Sequence, residues 1–166
     1  MTEPLAPGLG RRFGAFAYEG VLLFGITLLT GLVYAPLVGQ RSGIEHRTGL
    51  ITVLAIVYGV YFVFFWTRGR RTLPMQTWHL LIQRRDGQPL GLWQALLRYI
   101  FSWLWFMPAL ICIHLTNPRT VAPYFVGLAA GVLAYVLVAR LHPSRQFLHD
   151  LLAGTRMVTY KSGKQQ

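Results

Sequence analysis

Residues 13–37, FGAFAYEGVLLFGITLLTGLVYAPL, contain a single charged side chain, Glu19. At a helical rise of about 1.5 Å per residue, the run exceeds the roughly 30 Å hydrocarbon core of a bilayer. It therefore reads as a helix that crosses a membrane. It is too long for the apolar core of a cleaved signal peptide, and residues 1–10 supply no basic segment ahead of it, so the span is expected to be retained.

Three further apolar blocks follow. Residues 50–66 are uncharged and end in Tyr61, Phe62, Phe64, Phe65 and Trp66, rings that favour a membrane interface. Residues 92–115 form the third block. Its uncharged part begins only at Tyr99, so Arg98 must snorkel or find a partner, and Pro108 is placed to kink it. Residues 121–139 form the fourth, with Gly127 and Gly131 at GxxxG spacing beside Ala130 and Ala134, small residues that let helices approach closely. The chain is 54% hydrophobic yet carries a net charge of +11, and lipid-facing helices with basic connections reconcile the two. A nucleic-acid binder would instead line a wet face with its Lys and Arg, so nucleic acid is not an expected partner.

Charge also sets the orientation. Of the 16 Lys and Arg, only Arg41, Arg47 and Arg119 fall in the two loops on one side of the four spans. The remainder sit in the N-terminus, the central segment and the tail, so the positive-inside rule puts both termini and the central loop in the cytoplasm.

The central segment 67–91 is too polar for lipid and contains an Asp86-Gly87 turn signal. Residues 78–83 and 155–160 have strand character and are expected to pair. In the tail, 140–166, His142-Pro143 breaks the fourth helix, Ser144 is placed to cap a short amphipathic one running through Gln146 to Leu152, and Gly154 ends it. The expected fold class is an all-α membrane protein, one domain over 1–166, with four transmembrane helices, a short cytoplasmic amphipathic helix and a small two-stranded β element.

Five carboxylates exist, and Glu3, Glu45 and Asp86 belong to termini or loops. Glu19 and Asp150 remain. A charged carboxylate at the bilayer centre costs on the order of 3 kcal/mol, so Glu19 should be protonated, paired or exposed to a watery pocket. Arg12 lies seven residues before it, on the same helical face but too far for direct contact. Arg98, Arg145 and Asp150 would enter at the same depth, giving a buried Arg–carboxylate network that either locks helices or handles a cation or proton. Cys112 reads as a packing residue, and the histidines show no metal-ligand spacing. No motif of an enzyme or a cofactor site occurs, so neither is expected. Trp66, Trp78, Trp93, Trp103 and Trp105 could cage an organic cation, but interface anchoring is the commoner use of such residues.

These residues resemble the RDD family of bacterial membrane proteins, named for an arginine and two aspartates. The opening Arg11-Arg12-Phe13-Gly14-Ala15 with an acidic residue at 19 is similar to the family's first motif, Arg12 being the arginine and Glu19 standing where an aspartate is usual. Asp150, within the segment from Arg145 to Arg156, matches the second aspartate. The stretches 72–78, 86–87 and 95–99 are similar to its cytoplasmic loop. The resemblance implies a multi-pass protein of the bacterial inner membrane with a transport role, cation/proton exchange among the activities proposed. Glutamate at 19 keeps the charge but is one methylene longer, which suits a proton carrier or salt-bridge partner better than a rigid ion cage.

The reading that follows is a transport-related protein in which Glu19 and Asp150, tuned by Arg12, Arg98 and Arg145, handle a proton or monovalent cation. Four helices scarcely enclose a pathway alone, so a homo-oligomer or partner membrane subunit is expected as well. The alternative is a non-transporting scaffold or assembly factor that docks a partner through its basic cytoplasmic face.

Overall fold

A computed structural model describes residues 6–39, 46–107, 111, 122–141 and 146–160. Helix α1 spans Leu9–Leu37 and α2 spans Arg47–Trp66. Among the described residues these are the two helices long and apolar enough to cross a membrane. Pro36 in the last turn of α1 cannot continue the hydrogen-bond ladder, and Gly39, at a φ of +64°, turns the chain out of the helix. The two helices run antiparallel: the Tyr58 hydroxyl meets Thr27 Oγ1, and the Tyr34 hydroxyl donates to the His46 carbonyl at 3.4 Å.

The buried residues of α1 are Arg12 and Ala15 near its start, and that of α2 is Trp66 at its end. Everything buried in these helices therefore lies at one end, and the remaining length presents Phe24, Leu28, Leu32, Ile56 and Val60 outward, as lipid requires.

At that end the chain forms a compact cap. Thr72 opens helix α3, Leu73–Thr77, by accepting the Met75 N–H at 3.3 Å, with Pro74 in the first turn. Strand β1, Leu80–Arg84, follows, and the expected turn at Asp86-Gly87 closes it, Gln88 donating its N–H to Asp86 Oδ1 at 3.0 Å. The strand thus starts two residues later than 78–83, because α3 occupies the chain as far as Thr77 and His79 adopts a φ of +54°. Strand β1 pairs antiparallel with β2, Thr155–Thr159, with Leu80 opposite Thr159 and Arg84 opposite Thr155. Leu80, Ile82, Leu90, Met75, Ala95, Ala15 and Trp66 form one core cluster beneath this hairpin-like pair.

Helix α4 covers Leu92–Ser102 and gives way to a 3₁₀ turn at Trp103–Trp105. The expected third span, 92–115, is therefore not one unbroken α-helix. Its break falls in the turn before Pro108, whose missing N–H cannot serve the carbonyl of Leu104; Pro108 itself lies outside the described residues. Helix α5, Ala122–Leu141, covers the fourth expected span from residue 122 on and runs two residues past its end; Val121 is also outside the described residues. Its residues Gly127, Gly131, Tyr135 and Ala139, four apart, are buried within the chain, while Ala130 and Ala134 face outward. The two glycines of the GxxxG pair are thus buried within the chain.

The tail helix is shorter than expected: α6 covers only Leu148–Leu152, and Gly154 follows it at a φ of +67° as anticipated. Gln146 is not in the helix. Its amide instead mimics a strand neighbour, donating to the Met157 carbonyl at 3.0 Å and accepting the Met157 N–H at 3.1 Å.

Candidate functional site

Asp150 sits on α6, turned inward so that its side chain is fully buried. Ala95 and Arg98, three residues apart on α4, face it, and Arg98 Nε donates to Asp150 Oδ1 at 2.8 Å. The Arg98 guanidinium also lies 4.1 Å from the centre of the Trp66 ring, which joins the end of α2 to the pair. Thr155, the first residue of β2, brings its hydroxyl within 3.3 Å of both the Asp150 carbonyl and Oδ1. Arg12 reaches in from α1, its guanidinium 5.0 Å from the Phe147 ring centre. Asp150 Oδ2 has no hydrogen-bond donor among the described residues.

His149 is the other buried member. The Tyr135 hydroxyl from α5 accepts its backbone N–H at 2.9 Å and lies 2.8 Å from Nδ1. Trp105 Nε1 donates to Nδ1 at 3.3 Å, and Arg98 Nη2 is 3.2 Å from Nε2. Indole and guanidinium nitrogens only donate, so the acceptors within reach of a ring N–H are the Tyr135 hydroxyl at Nδ1 and Asp150 Oδ1, 3.6 Å from Nε2. Burial, reinforced by the positive charges of Arg98 and Arg12 and opposed by Asp150, holds His149 down at about 4, and the ring is neutral at pH 7. Burial alone would push the Asp150 carboxyl up. The charge of Arg98, then that of His149 once acid has protonated it, the Arg98 hydrogen bond and the charge of Arg12 outweigh it and keep the group below its ordinary 3.8. Asp150 is accordingly ionised, and it ties together elements that are far apart in the chain.

Glu19 is placed differently. It is half-buried on α1, and its two oxygens take one hydrogen bond each, from the Tyr61 hydroxyl on α2 at 2.6 Å and from Thr72 Oγ1 at 2.8 Å. Both donors are neutral. An ionised carboxylate offers about four acceptor positions, so these two bonds leave part of its capacity open. Glu19 also lines a cavity of about 460 Å³ between α1, α2, α4 and the cap. Its walls are largely aromatic, including Phe16, Phe62, Tyr99, Trp103, Phe106 and Phe147, with Arg12, Arg98 and His149 also contributing to the lining.

Of the residues singled out from the sequence, Arg12, Arg98 and Asp150 come together and Glu19 does not join them. Arg12 and Glu19 do share a face of α1, since both line the cavity. Arg145 lies outside the described residues. Trp93 and Trp103 are exposed, as interface anchors would be, whereas Trp66 and Trp105 are packed against Arg98 and His149. Sequence reasoning missed Tyr61, Thr72, Tyr135 and His149. The only advance signals were a hydroxyl inside the aromatic end of the second apolar block, and a tyrosine four residues past the GxxxG pair.

A protein-family model described as "RDD family" matches residues 6–154. No curated protein and no solved structure matches the chain.

Proposed function

We propose, from the premise that the chain belongs to the RDD family of membrane proteins, that it is a transport-related protein of the bacterial inner membrane in which Glu19 handles a proton or monovalent cation. The observation that carries this reading is the setting of Glu19: a carboxylate on a membrane-length helix, held by two neutral hydroxyls and open to a cavity. A carboxylate so held is free to exchange a proton for another cation without breaking an ion pair. In this reading Asp150 leaves the ion-handling role and becomes, with Arg98, Arg12 and His149, the lock that fixes the helices around the cavity.

The distribution of Lys and Arg supports a multi-pass arrangement of four spans with both termini in the cytoplasm, which sets the cap and the Glu19 end of the cavity on that side. The test is proton movement in proteoliposomes under imposed sodium, potassium or lithium gradients, followed with a trapped pH dye. Wild-type protein is expected to move protons in response to one of the gradients, and Glu19→Gln to lose that response while keeping its thermal stability. Folded wild-type protein with no flux above empty liposomes would sink the reading.

A scaffold reading draws on one observation. Arg68 and Arg70 are exposed on the cap, Arg70 over the Phe64 ring at 4.2 Å, where they could meet acidic partners or anionic lipid. Loss of cellular function confined to Arg68 and Arg70 variants, with Glu19→Gln silent, would favour it.

A further inference from the structure

We infer that the cavity beside Glu19 is a binding site for a hydrophobic organic cation, an amine or onium group on an apolar body, whose positive centre meets the Glu19 carboxylate. This rests on the reading of Glu19 as the working carboxylate and names the class of cation it takes.

Size and wall chemistry set the class. A space of about 460 Å³ falls within the range of small-molecule pockets, roughly 300–1,000 Å³. Its lining is dominated by aromatic and aliphatic side chains, whose ring faces attract cations and whose carbon surface takes an apolar body. A small hard cation would need a shell of some six oxygens. Beyond Glu19 the side-chain oxygens on the walls are the hydroxyls of Tyr58, Tyr99 and Ser102, too few to complete such a shell even with both carboxylate oxygens.

The sign of the charge follows from which polar groups are open. Arg12 and Arg98 also line the cavity but are only 4% and 3% exposed, Arg12 laid over Phe147 and Arg98 bound to Asp150 and laid over Trp66, so both have little to offer an anionic ligand. Glu19 is half-buried, with acceptor capacity left over. The route of entry is also visible. Phe16, Trp103 and Phe106, all lining residues, are 56%, 42% and 44% exposed on surfaces that lipid would cover. An amphiphilic cation dissolved in the membrane would pass these rings before reaching the carboxylate.

Tetraphenylphosphonium and tetraphenylborate share a shape and carry opposite charge, so they test the inference as a pair. Purified protein in lipid nanodiscs is titrated with each, reading the fluorescence of Trp66, Trp103 and Trp105 at the cavity against empty nanodiscs. Saturable binding of tetraphenylphosphonium, weakened about tenfold or more by Glu19→Gln and not matched by tetraphenylborate, is the expected result. A second variant guards against misfolding. A Cβ added at Gly20, on the cavity wall, meets nothing within 4 Å, so Gly20→Leu should fold, and it is expected to weaken binding by adding bulk at the wall. No saturable binding by folded wild type, equal binding of the two ions, or binding unchanged in both variants overturns the inference. Flux is read separately. Proton movement driven by metal cations without tetraphenylphosphonium binding would remove the organic cation and leave Glu19 as carrier; binding without any proton movement would keep this site and remove the transport reading.

Discussion

Two carboxylates lie under the same cap, and their surroundings divide the labour between them. Asp150 is fully buried against a guanidinium at 2.8 Å, with a second guanidinium and a neutral imidazole close by. Glu19 is half-buried, bound by two hydroxyls, and faces a cavity. A carboxylate in the first setting is fixed in one charge state by its neighbours, whereas one in the second can change partner or protonation without leaving a buried charge uncompensated. In the proposed reading, function and scaffold are separated by the kind of donor each carboxylate was given.

The largest effect is expected from breaking the lock. Removing one partner of a buried ion pair costs about 3–5 kcal/mol, so Arg98→Met or Asp150→Asn should lower the melting temperature steeply or prevent accumulation of folded protein. Replacing both charges by apolar residues of similar volume should recover much of that loss, because no charge is then stranded. Full stability in Arg98→Met would show that the pair is not structural.

Acid should act on the same region next. His149 titrates at about 4 in the folded chain against 6.5 when exposed, so the unfolded state binds the extra proton first and stability falls as the pH drops from 6.5 towards 4. That difference is worth roughly 3 kcal/mol. Asp150, held below 3.8, adds to the loss as the pH falls further, through its folded value. Thermal melts between pH 7.5 and pH 3 check this, and a His149→Gln variant should flatten the upper part of the curve.

Smaller effects are expected on the Glu19 side. Tyr61→Phe removes one donor to the carboxylate, at a cost of about 1.5–3 kcal/mol if Glu19 is ionised and nearer 1 kcal/mol if it is protonated, so the size of the melting shift reports its charge state. Glu19→Asp shortens the side chain by one methylene and should keep only one of the bonds to Tyr61 and Thr72, a loss of about 1–3 kcal/mol that follows the same charge state. A melting shift for Glu19→Asp as large as that for Asp150→Asn would erase the distinction between the two sites.

Much of the frame was legible in the sequence because it is written in local patterns. The apolar runs gave α1 and α2, Asp86-Gly87 gave the turn after β1, and Gly154 marked the end of α6. The pairing of the two short strands was visible in their β-branched and aromatic residues. The partners of Arg12, Arg98 and Asp150 could be anticipated because charge in an apolar setting demands a partner. What stayed hidden was carried by neutral hydroxyls and long-range geometry. Tyr61 and Thr72 lie 42 and 53 residues from Glu19, and nothing in a hydropathy pattern separates a tyrosine that donates to a carboxylate from one that anchors an interface. Helix α3 was missed because a five-residue helix is set by one capping threonine and one proline, not by periodicity. Trp66 and Trp105 were read as anchors because ring exposure depends on the cap folding over them.

The division between the two carboxylates is tested most directly by proton flux in proteoliposomes of two variants: Glu19→Gln alone, and a chain in which Arg98 and Asp150 are replaced together by neutral partners. With both proteins shown to be folded, the neutral-pair chain is expected to keep cation-dependent proton movement and Glu19→Gln to lose it. Activity retained by Glu19→Gln and lost by the folded neutral-pair chain would contradict the account and return the working role to Asp150.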